Sequence, residues 1–413
     1  LEERAANAVR PAEFVNSRFG SAQALIVIQV ALSLFLLLGA GLLAHSLLAL
    51  ETQNLGFQQS HVLVVRTDPR LADYQPKELY PLYRQLDERL NALPGVVSAT
   101  LARYTPESGT SSSSNFSMRD YTPPPDKQMT VFDEEIGPHF FETLDTPLLL
   151  GRTIGPRDTP ATPPVAIVNE TFVKQYLPHQ DPIGRRIWPG APFKAPGIEI
   201  VGVVADSKYY GLNEKPEPMA FFSLWQGQPE DSRTYAGDLV IRTEGDPSSL
   251  IPEVKRTLSS IDSKLPILGI TTLSHQIDNT LQQQKMITSL CSVFGILALV
   301  LAAIGIYGTM AYSVARRTTE IGIRMALGAQ RANVLWMILR DSVVLIAAGL
   351  IIGFPLALIG TRWIRSFLFG VPAADPLAIG AAIVLIAILA LLAGYLPARR
   401  AARIDPMSAI RYE

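Results

Sequence analysis

The chain has 413 residues, of which 48% are hydrophobic and 18% charged, and its formal net charge is −1. It is long enough for two or three domains, and its apolar content is high for a soluble protein. Residues 51–285 hold 22 Lys and Arg against 29 Asp and Glu, whereas the remainder holds 14 against 8. This segregation indicates an acidic soluble domain joined to a basic membrane part, and it gives no support for nucleic-acid binding.

The first predicted element is a membrane-spanning helix. Residues 1–20 carry three Arg and three Glu and are predicted to be a cytoplasmic juxtamembrane lead-in. Residues 21–50 contain no Asp, Glu, Lys or Arg, and about 20 apolar residues suffice to cross the hydrocarbon layer. We therefore predict transmembrane helix 1 at 21–50. His45 near its end is interpreted as an interfacial histidine, because a lone intramembrane histidine is a weak signal for a proton relay.

Residues 51–285 are predicted to form an extracytoplasmic α+β domain with two lobes. A strand–helix–strand pattern occurs at both ends of this domain, and the strands at 62–68 and 238–244 are nearly identical in sequence. Two such β-α-β units can pair into one split sheet with the helices on a single face. The chain between them, about residues 105–236, is then an inserted subdomain.

The inserted subdomain begins with Ser- and Pro-rich chain, so residues 108–114 and 123–125 are predicted to be loops. Strands and short helices are predicted after these loops, at residues 130–136, 138–144, 165–168, 169–176 and 198–204. The acidic run Asp133, Glu134 and Glu135 is interpreted as a solvated face of the acidic domain rather than a catalytic group.

Residues 286–413 are predicted to contain three further membrane spans, at 286–315, 342–361 and 376–398. They leave a basic loop at 316–341 and a tail at 399–413. Small residues recur every three or four positions on one face of two of these helices, which favours close helix packing. These residues are Gly295, Ala298, Ala302 and Gly305 in the first helix, and Gly349, Gly353 and Ala357 in the second.

The topology follows from the arginines in the short connections. The 316–341 loop has five and the C-terminal tail four, against two in residues 362–375. Because positive residues mark cytoplasmic loops, the first two segments are placed in the cytoplasm. Four spans then put both termini inside the cell and the 51–285 domain outside.

The basic loop contains a predicted short amphipathic helix. Thr318 is a candidate N-cap, Glu320 lies in the first turn where the helix dipole favours an anion, and Gly328 can adopt the left-handed stop. Ile321 and Met325, like Ile323 and Leu327, are spaced i,i+4. From the residues alone, this helix is either a topology signal lying on the membrane or a contact for a partner.

Two stretches resemble a known family. Residues 316–329 look like the cytoplasmic loop of FtsX-like permeases of the MacB type, and residues 394–411 resemble that family's C-terminal signature. The signature positions are Pro397, Arg399, Arg400, Arg403, Asp405 and Pro406. Residues 51–285 resemble the MacB-like periplasmic core domain, and 286–413 the FtsX-like permease domain. The segment 151–204 is most similar to large bacterial permeases of two tandem halves, of the acidobacterial type, which raises the alternative that this chain is the second half of one.

The resemblance implies that the loop docks an ABC-type ATPase and passes its motion through the membrane. That role is carried over to the following residues: Glu320, Ile321, Gly322, Ile323, Arg324 and Gly328. It also implies a bacterial inner-membrane protein that works as a dimer or with a second permease half, and that can engage a periplasmic partner protein.

Motifs for chemistry are missing from the sequence. It contains no Gly-Lys pair and hence no Walker loop, no His-Glu-x-x-His, and five histidines without metal-like spacing. The spans contain no Asp, Glu, Lys or Arg, which disfavours an ion-coupled carrier. We expect a permease subunit without enzymatic activity, cofactor or metal, and the alternative is a membrane scaffold or sensor that needs no ATPase and whose external domain binds a partner.

Overall fold

The computed structural model describes residues 12–119, 121–190, 197–227, 235–327, 330–364, 368–372 and 375–401. The chain divides into two compact units. The first, here the membrane unit, comprises residues Leu1–Thr52 and Gln283–Glu413. The second, here the sheet unit, comprises residues Gln53–Gln282.

The α-helices of the described residues are α1 Ala12–Thr52, α2 Pro76–Asn91, α3 Phe140–Leu144, α4 Glu170–Tyr176, α5 Ile251–Ile261, α6 Leu273–Thr280, α7 Gln282–Arg316, α8 Thr318–Ala326, α9 Arg331–Ile364 and α10 Pro376–Ala401. The strands are β1 Val62–Thr67, β2 Val96–Ala102, β3 Ser113–Ser117, β4 Met129–Ile136, β5 Leu148–Gly151, β6 Val165–Asn169, β7 Arg186–Pro189, β8 Ile198–Val204, β9 Met219–Ser223, β10 Asp238–Thr243 and β11 Ile267–Thr272.

Four helices of the described residues are long and apolar enough to cross a membrane: α1, α7, α9 and α10. Half of the apolar window of α1 is buried, against 22–28% for the other three, so α1 is the central helix of the unit. It packs against α9 and α10. Large apolar side chains such as Leu297, Ile351 and Val384 are exposed on the outer helices, as expected for surfaces that face lipid. The predicted four-helix membrane part is confirmed.

The predicted split sheet is also present. β1 pairs antiparallel with β10, and Val64 lies opposite Val240. These two valines occupy equivalent positions in the two sequence copies, so the copies are related by a local twofold axis between the strands. The strand order is β11-β1-β10-β2, and α2 and α5 pack on one face of it around Leu63 and Ile241. This is the arrangement predicted for two paired β-α-β units.

The second lobe is a closed sheet. Neighbouring strands pair in the order β4-β3-β7-β8-β6-β9, and β9 pairs with β4 to close the ring. The ring encloses an apolar core that includes Phe116, Val131 and Phe172. β3 begins at Ser113, so the predicted loop at 108–114 is wrong at its end. Phe116 of β3 is buried in the core, and a strand needs only its alternate residues to be apolar.

The last part of the predicted insertion contributes to the core of the first lobe. Leu224, Trp225 and Ala236 come from the end of the predicted insertion, yet they pack in the core beneath α2 and α5. Tyr80 of α2 contacts Trp225 edge to face, with 5.7 Å between ring centroids. The end of the insertion therefore completes the core of the first lobe.

Candidate functional site

Helix α8 is the part of the membrane unit that the sequence singles out. It follows α7 almost without a break, because the N–H of Ile321 donates to the carbonyl of Arg317 at 2.9 Å. Ile321 is only 1% exposed and belongs to the buried cluster that contains Met310 of α7 and Ile346 of α9. By contrast, Ile323 and Leu327 are 48% and 82% exposed. Ile321 therefore anchors α8, whereas Ile323 of α8 and Leu327 directly after it remain on the surface.

The charged residues of α8 are paired with each other. Arg324 Nη2 lies 2.7 Å from Glu320 Oε1, and both side chains are half exposed. Such an i,i+4 pair contributes only about 0.3–0.5 kcal/mol. Arg324 Nη1 also lies 2.8 Å from Met337 Sδ in α9. The pair can be exchanged for other contacts at little cost.

The predicted N-terminal cap of α8 is not formed. The hydroxyl of Thr318 donates to the carbonyls of Val314 and Ala315 in α7, so it does not cap α8 as predicted. The reason is that α7 continues to Arg316 and supplies acceptors one turn earlier. Gly322 lies within α8, whereas Gly328 lies outside the described residues.

The small residues predicted to pack helices lie against α1. A Cβ at Gly349 would be 2.7 Å from Val30 Cβ, and one at Gly353 would be 2.7 Å from Ala31 Cα. On α7, a Cβ at Gly305 would be 2.8 Å from Gln29 Oε1. Only residues without larger side chains allow these close approaches. Of the remaining members, Gly295, Ala302 and Ala357 are also buried.

Sequence analysis missed two polar links between membrane helices. His45 Nδ1 lies 2.9 Å from Asp375 Oδ2, so the histidine is not without a partner. Ser33 Oγ donates to the carbonyl of Ala298 at 3.1 Å and thereby connects α1 to α7. Neither link has a local sequence signal, because the partners are far apart in the chain.

The C-terminal signature is described in part. Pro397 is buried in α10, and Arg399 is exposed. Arg400 Nη1 donates to the hydroxyl of Tyr307 in α7 at 3.0 Å. Arg403, Asp405 and Pro406 lie outside the described residues.

The acidic run of the sheet unit is buried, which corrects the interpretation as a solvated face. Asp133 and Glu134 are fully buried and Glu135 nearly so. The guanidinium of Arg103 lies 3.6 Å from Asp133 and 2.7 Å from Glu135. Burial raises the pKa of Glu134 well above its usual value, against the attraction of Arg103. β4 pairs on both sides, with β3 and β9. Successive strand side chains point to opposite faces, so the burial of all three residues shows that both faces of β4 are covered here. Among the described residues, no group of three His, Cys, Asp or Glu is placed to hold a metal ion.

Comparison with known families agrees with this architecture. The model of the MacB-like periplasmic core domain matches residues 24–258, which is more than half of the chain. The chain belongs to the MacB-like family. The model of the FtsX-like permease C-terminal domain matches residues 292–406. Together the two matches make this an FtsX/MacB-type permease, with the periplasmic domain between the first and second membrane helices.

Curated relatives carry the same family name. Macrolide export ATP-binding/permease protein MacB of Mannheimia succiniciproducens is 26% identical over 67% of this chain and 43% of its own length. The protein called MacB 1 in Yersinia pestis is 28% identical over 60% of this chain and 38% of its own length. The MacB-like chain thus spans less than half the length of these relatives.

Two solved structures, of one periplasmic region and one extracellular domain, are similar to part of the chain. The periplasmic region of MacB from Actinobacillus actinomycetemcomitans covers 56% of this chain and 97% of its own, at 16% identity and a TM-score of 0.38. The extracellular domain of the noncanonic ABC-type transporter YknZ covers 49% of this chain and 92% of its own, at 10% identity and a TM-score of 0.32.

Proposed function

We propose that this MacB-like chain is the permease of an ABC-type export system and that α8 couples it to a cytoplasmic ATP-binding unit. The relatives are named ATP-binding/permease proteins for macrolide export. This chain matches less than half of their length, so the ATP-binding unit is assigned to a partner or to another part of a longer polypeptide. Motion would pass from that unit through the helices to the periplasmic domain.

The observation that carries the proposal is that α8 has one buried anchoring residue and an exposed apolar and charged surface. Ile321 holds the helix in the buried cluster of the membrane unit. Ile323, Leu327 and the ion pair between Glu320 and Arg324 stay accessible. An anchored helix with an exposed apolar and charged face is suited to docking in a groove of another protein.

The helices connected to α8 are suited to transmit a displacement. α7 is one helix of 35 residues, which corresponds to about 50 Å at 1.5 Å per residue. Ile321 shares its cluster with residues of α7, α9 and α10. A push on α8 would therefore move packed helices rather than a flexible loop.

We further propose a membrane location, a topology and partner proteins for the chain. We assign the chain to a bacterial inner membrane with both termini and α8 in the cytoplasm, on the basis of the arginine asymmetry. It would work as a dimer or with a second permease half, and its periplasmic domain can engage a further protein. Glu320, Ile321, Gly322, Ile323, Arg324 and Gly328 are the proposed coupling residues.

The decisive experiment compares Glu320→Lys, Arg324→Glu and the double variant with both changes. Each single change removes the intrahelical pair, and the double variant restores it with reversed polarity. If a partner reads these charges, all three variants should lose about 1–3 kcal/mol of association, a five- to hundredfold loss of affinity. The measurement is the ATP hydrolysis that copurifies with the tagged chain at matched membrane levels.

Glu253→Lys is the matched control, because Glu253 forms a comparable exposed pair with Arg256 in α5. It should leave the copurified ATP hydrolysis unchanged. Full recovery in the double variant would mean that the pair serves only the helix. Unchanged values in all variants would favour a scaffold or sensor that needs no ATPase.

A further inference from the structure

The sheet unit contains an open groove of about 450 Å³ on the face of β1 and β11 that α2 and α5 do not cover. This volume lies in the range of small-molecule sites. The loop after β2 forms one wall, and α6 forms another. The polar side chains that line the groove are Arg66, Glu107, Ser108, Thr271, Gln276, Asn279 and Thr280.

Two buried side-chain atoms at this groove have no hydrogen-bond partner among the described residues. They are Glu107 Oε1 and Ser108 Oγ. Glu107 is 5% exposed. A buried carboxylate oxygen without a partner is costly, and a bound water or ligand is one way in which a native protein satisfies it.

The backbone at Glu107 is also unusual. Its φ angle is +57°, in the left-handed region that a non-glycine residue seldom adopts. Three hydrogen bonds hold this loop: the N–H of Glu107 donates to the carbonyl of Tyr209, and the amide of Gln276 donates to Thr105 Oγ1 and to the carbonyl of Pro106. Strain maintained by surrounding contacts is typical of binding sites.

The charges near Glu107 favour a cationic ligand, although two of them, Glu214 and Lys208, lie outside the lining of the groove. Arg66 is already neutralised by the buried Asp238, at 3.2 Å from Oδ1. Glu107 faces Glu214 and Lys208, of which Glu214 opposes its ionisation and Lys208 favours it. The Nζ of Lys208 donates to the carbonyl of Glu214. Burial, followed by Glu214, raises the pKa of Glu107 to about 7. A bound cation would favour the ionised carboxylate.

We propose that this groove binds a small organic cation that carries a primary amine or a guanidinium group. A ligand N–H would donate to Glu107 Oε1 and satisfy it with a charge-assisted hydrogen bond. Ser108 Oγ and the amide oxygens of Gln276 and Asn279 offer further acceptors. The proposal concerns the periplasmic domain alone and does not depend on coupling to an ATPase.

The test uses two probes of the same shape, butylguanidinium and the uncharged butylurea. Both are titrated into the full chain in phosphatidylcholine nanodiscs, and binding is measured by saturation-transfer NMR. We expect butylguanidinium to bind at least tenfold more tightly than butylurea, and more tightly at pH 8 than at pH 6. Glu107→Gln should weaken its binding at least tenfold.

Glu253→Gln is the control, because it removes one exposed carboxylate from the helix-covered side of the sheet. It should leave binding unchanged. If Glu107→Gln lowers the thermal stability, Ser108→Ala serves as the second variant and should weaken binding several-fold. Equal binding of the two probes, or equal binding to wild type, Glu107→Gln and Ser108→Ala, would overturn the proposal and leave a hydrated crevice.

Discussion

Arg103 compensates the buried charges of Asp133 and Glu135 on β4. Its side chain is 7% exposed and lies between Asp133 and Glu135, which are also buried. The guanidinium plane additionally lies over the ring of Tyr104, at 4.9 Å from its centroid. A pair of buried charges adds little net stability, but the loss of one partner leaves the other uncompensated.

We therefore predict that Arg103→Met lowers the free energy of unfolding by about 3–5 kcal/mol. Arg84→Met is the matched control, because Arg84 pairs with Glu88 on the surface of α2, and its loss should cost about 1 kcal/mol or less. Thermal unfolding of the full chain in micelles, followed by tryptophan fluorescence, distinguishes them. Equal losses for the two variants would contradict the burial argument.

Glu107 gives a prediction for the pH dependence of stability. Its pKa is about 7 in the folded protein, against 4.5 for an unperturbed glutamate. Ionisation therefore opposes folding. The contribution of Glu107 to stability is fully present below about pH 4.5, falls as the pH rises towards 7, and is constant above that.

Glu107→Gln should remove this decline. We expect the variant and wild type to converge near pH 4 and the variant to be more stable by about 1–3 kcal/mol at pH 8, since one pKa unit corresponds to about 1.4 kcal/mol. Unfolding curves at both pH values provide the measurement. A constant difference between the two proteins at pH 4 and pH 8 would show that Glu107 titrates normally.

At the scale of elements, the membrane unit depends on how closely its helices approach α1. Gly353 of α9 is in backbone contact with Ala31, and a Cβ there would be 2.7 Å from Ala31 Cα. Gly308 of α7 faces open space, because among the described residues no atom would lie within 4 Å of a Cβ at this position. Comparing alanine substitutions at these two glycines therefore distinguishes a steric effect from an effect of helix propensity.

We predict that Gly353→Ala destabilises the membrane unit by about 1–3 kcal/mol, because α1 and α9 must move apart. Gly308→Ala should be neutral or stabilising by up to about 1 kcal/mol, since alanine is the better helix former. The midpoint of thermal unfolding in micelles is the measurement. A stabilising effect of Gly353→Ala would argue against close packing of α1 and α9.

At the scale of the whole molecule, the main prediction is topology. Ser248 in the sheet unit and Asn333 at the start of α9 are both exposed. The native Cys291 is first replaced by serine. A cysteine at position 248 should then react with a membrane-impermeant thiol reagent in cells whose outer membrane is permeabilised and whose inner membrane is intact. A cysteine at position 333 should react only after lysis, because the five arginines of the 316–341 loop predict a cytoplasmic location for it. The reverse labelling pattern would invert the orientation.

Features that depend on local periodicity and composition could be predicted from the sequence. Long uncharged runs predicted four membrane helices, and they are present. The near-identical strands at the two ends of the periplasmic domain predicted one split sheet, and β1 does pair with β10. These predictions succeed because apolar runs and repeats specify which surface a segment must bury, whatever its partner.

Contacts between residues that are far apart in the chain could not be predicted from the sequence and are seen in the tertiary structure. Six strands close into a ring. Asp133 and Glu134, which the sequence predicts on a solvated face, are buried. His45 contacts Asp375, which lies 330 positions further along the chain. Ile321 is buried, whereas Ile323 is exposed. The physical reason is that burial and pairing depend on neighbours brought by distant parts of the chain, and a local pattern contains no information about them.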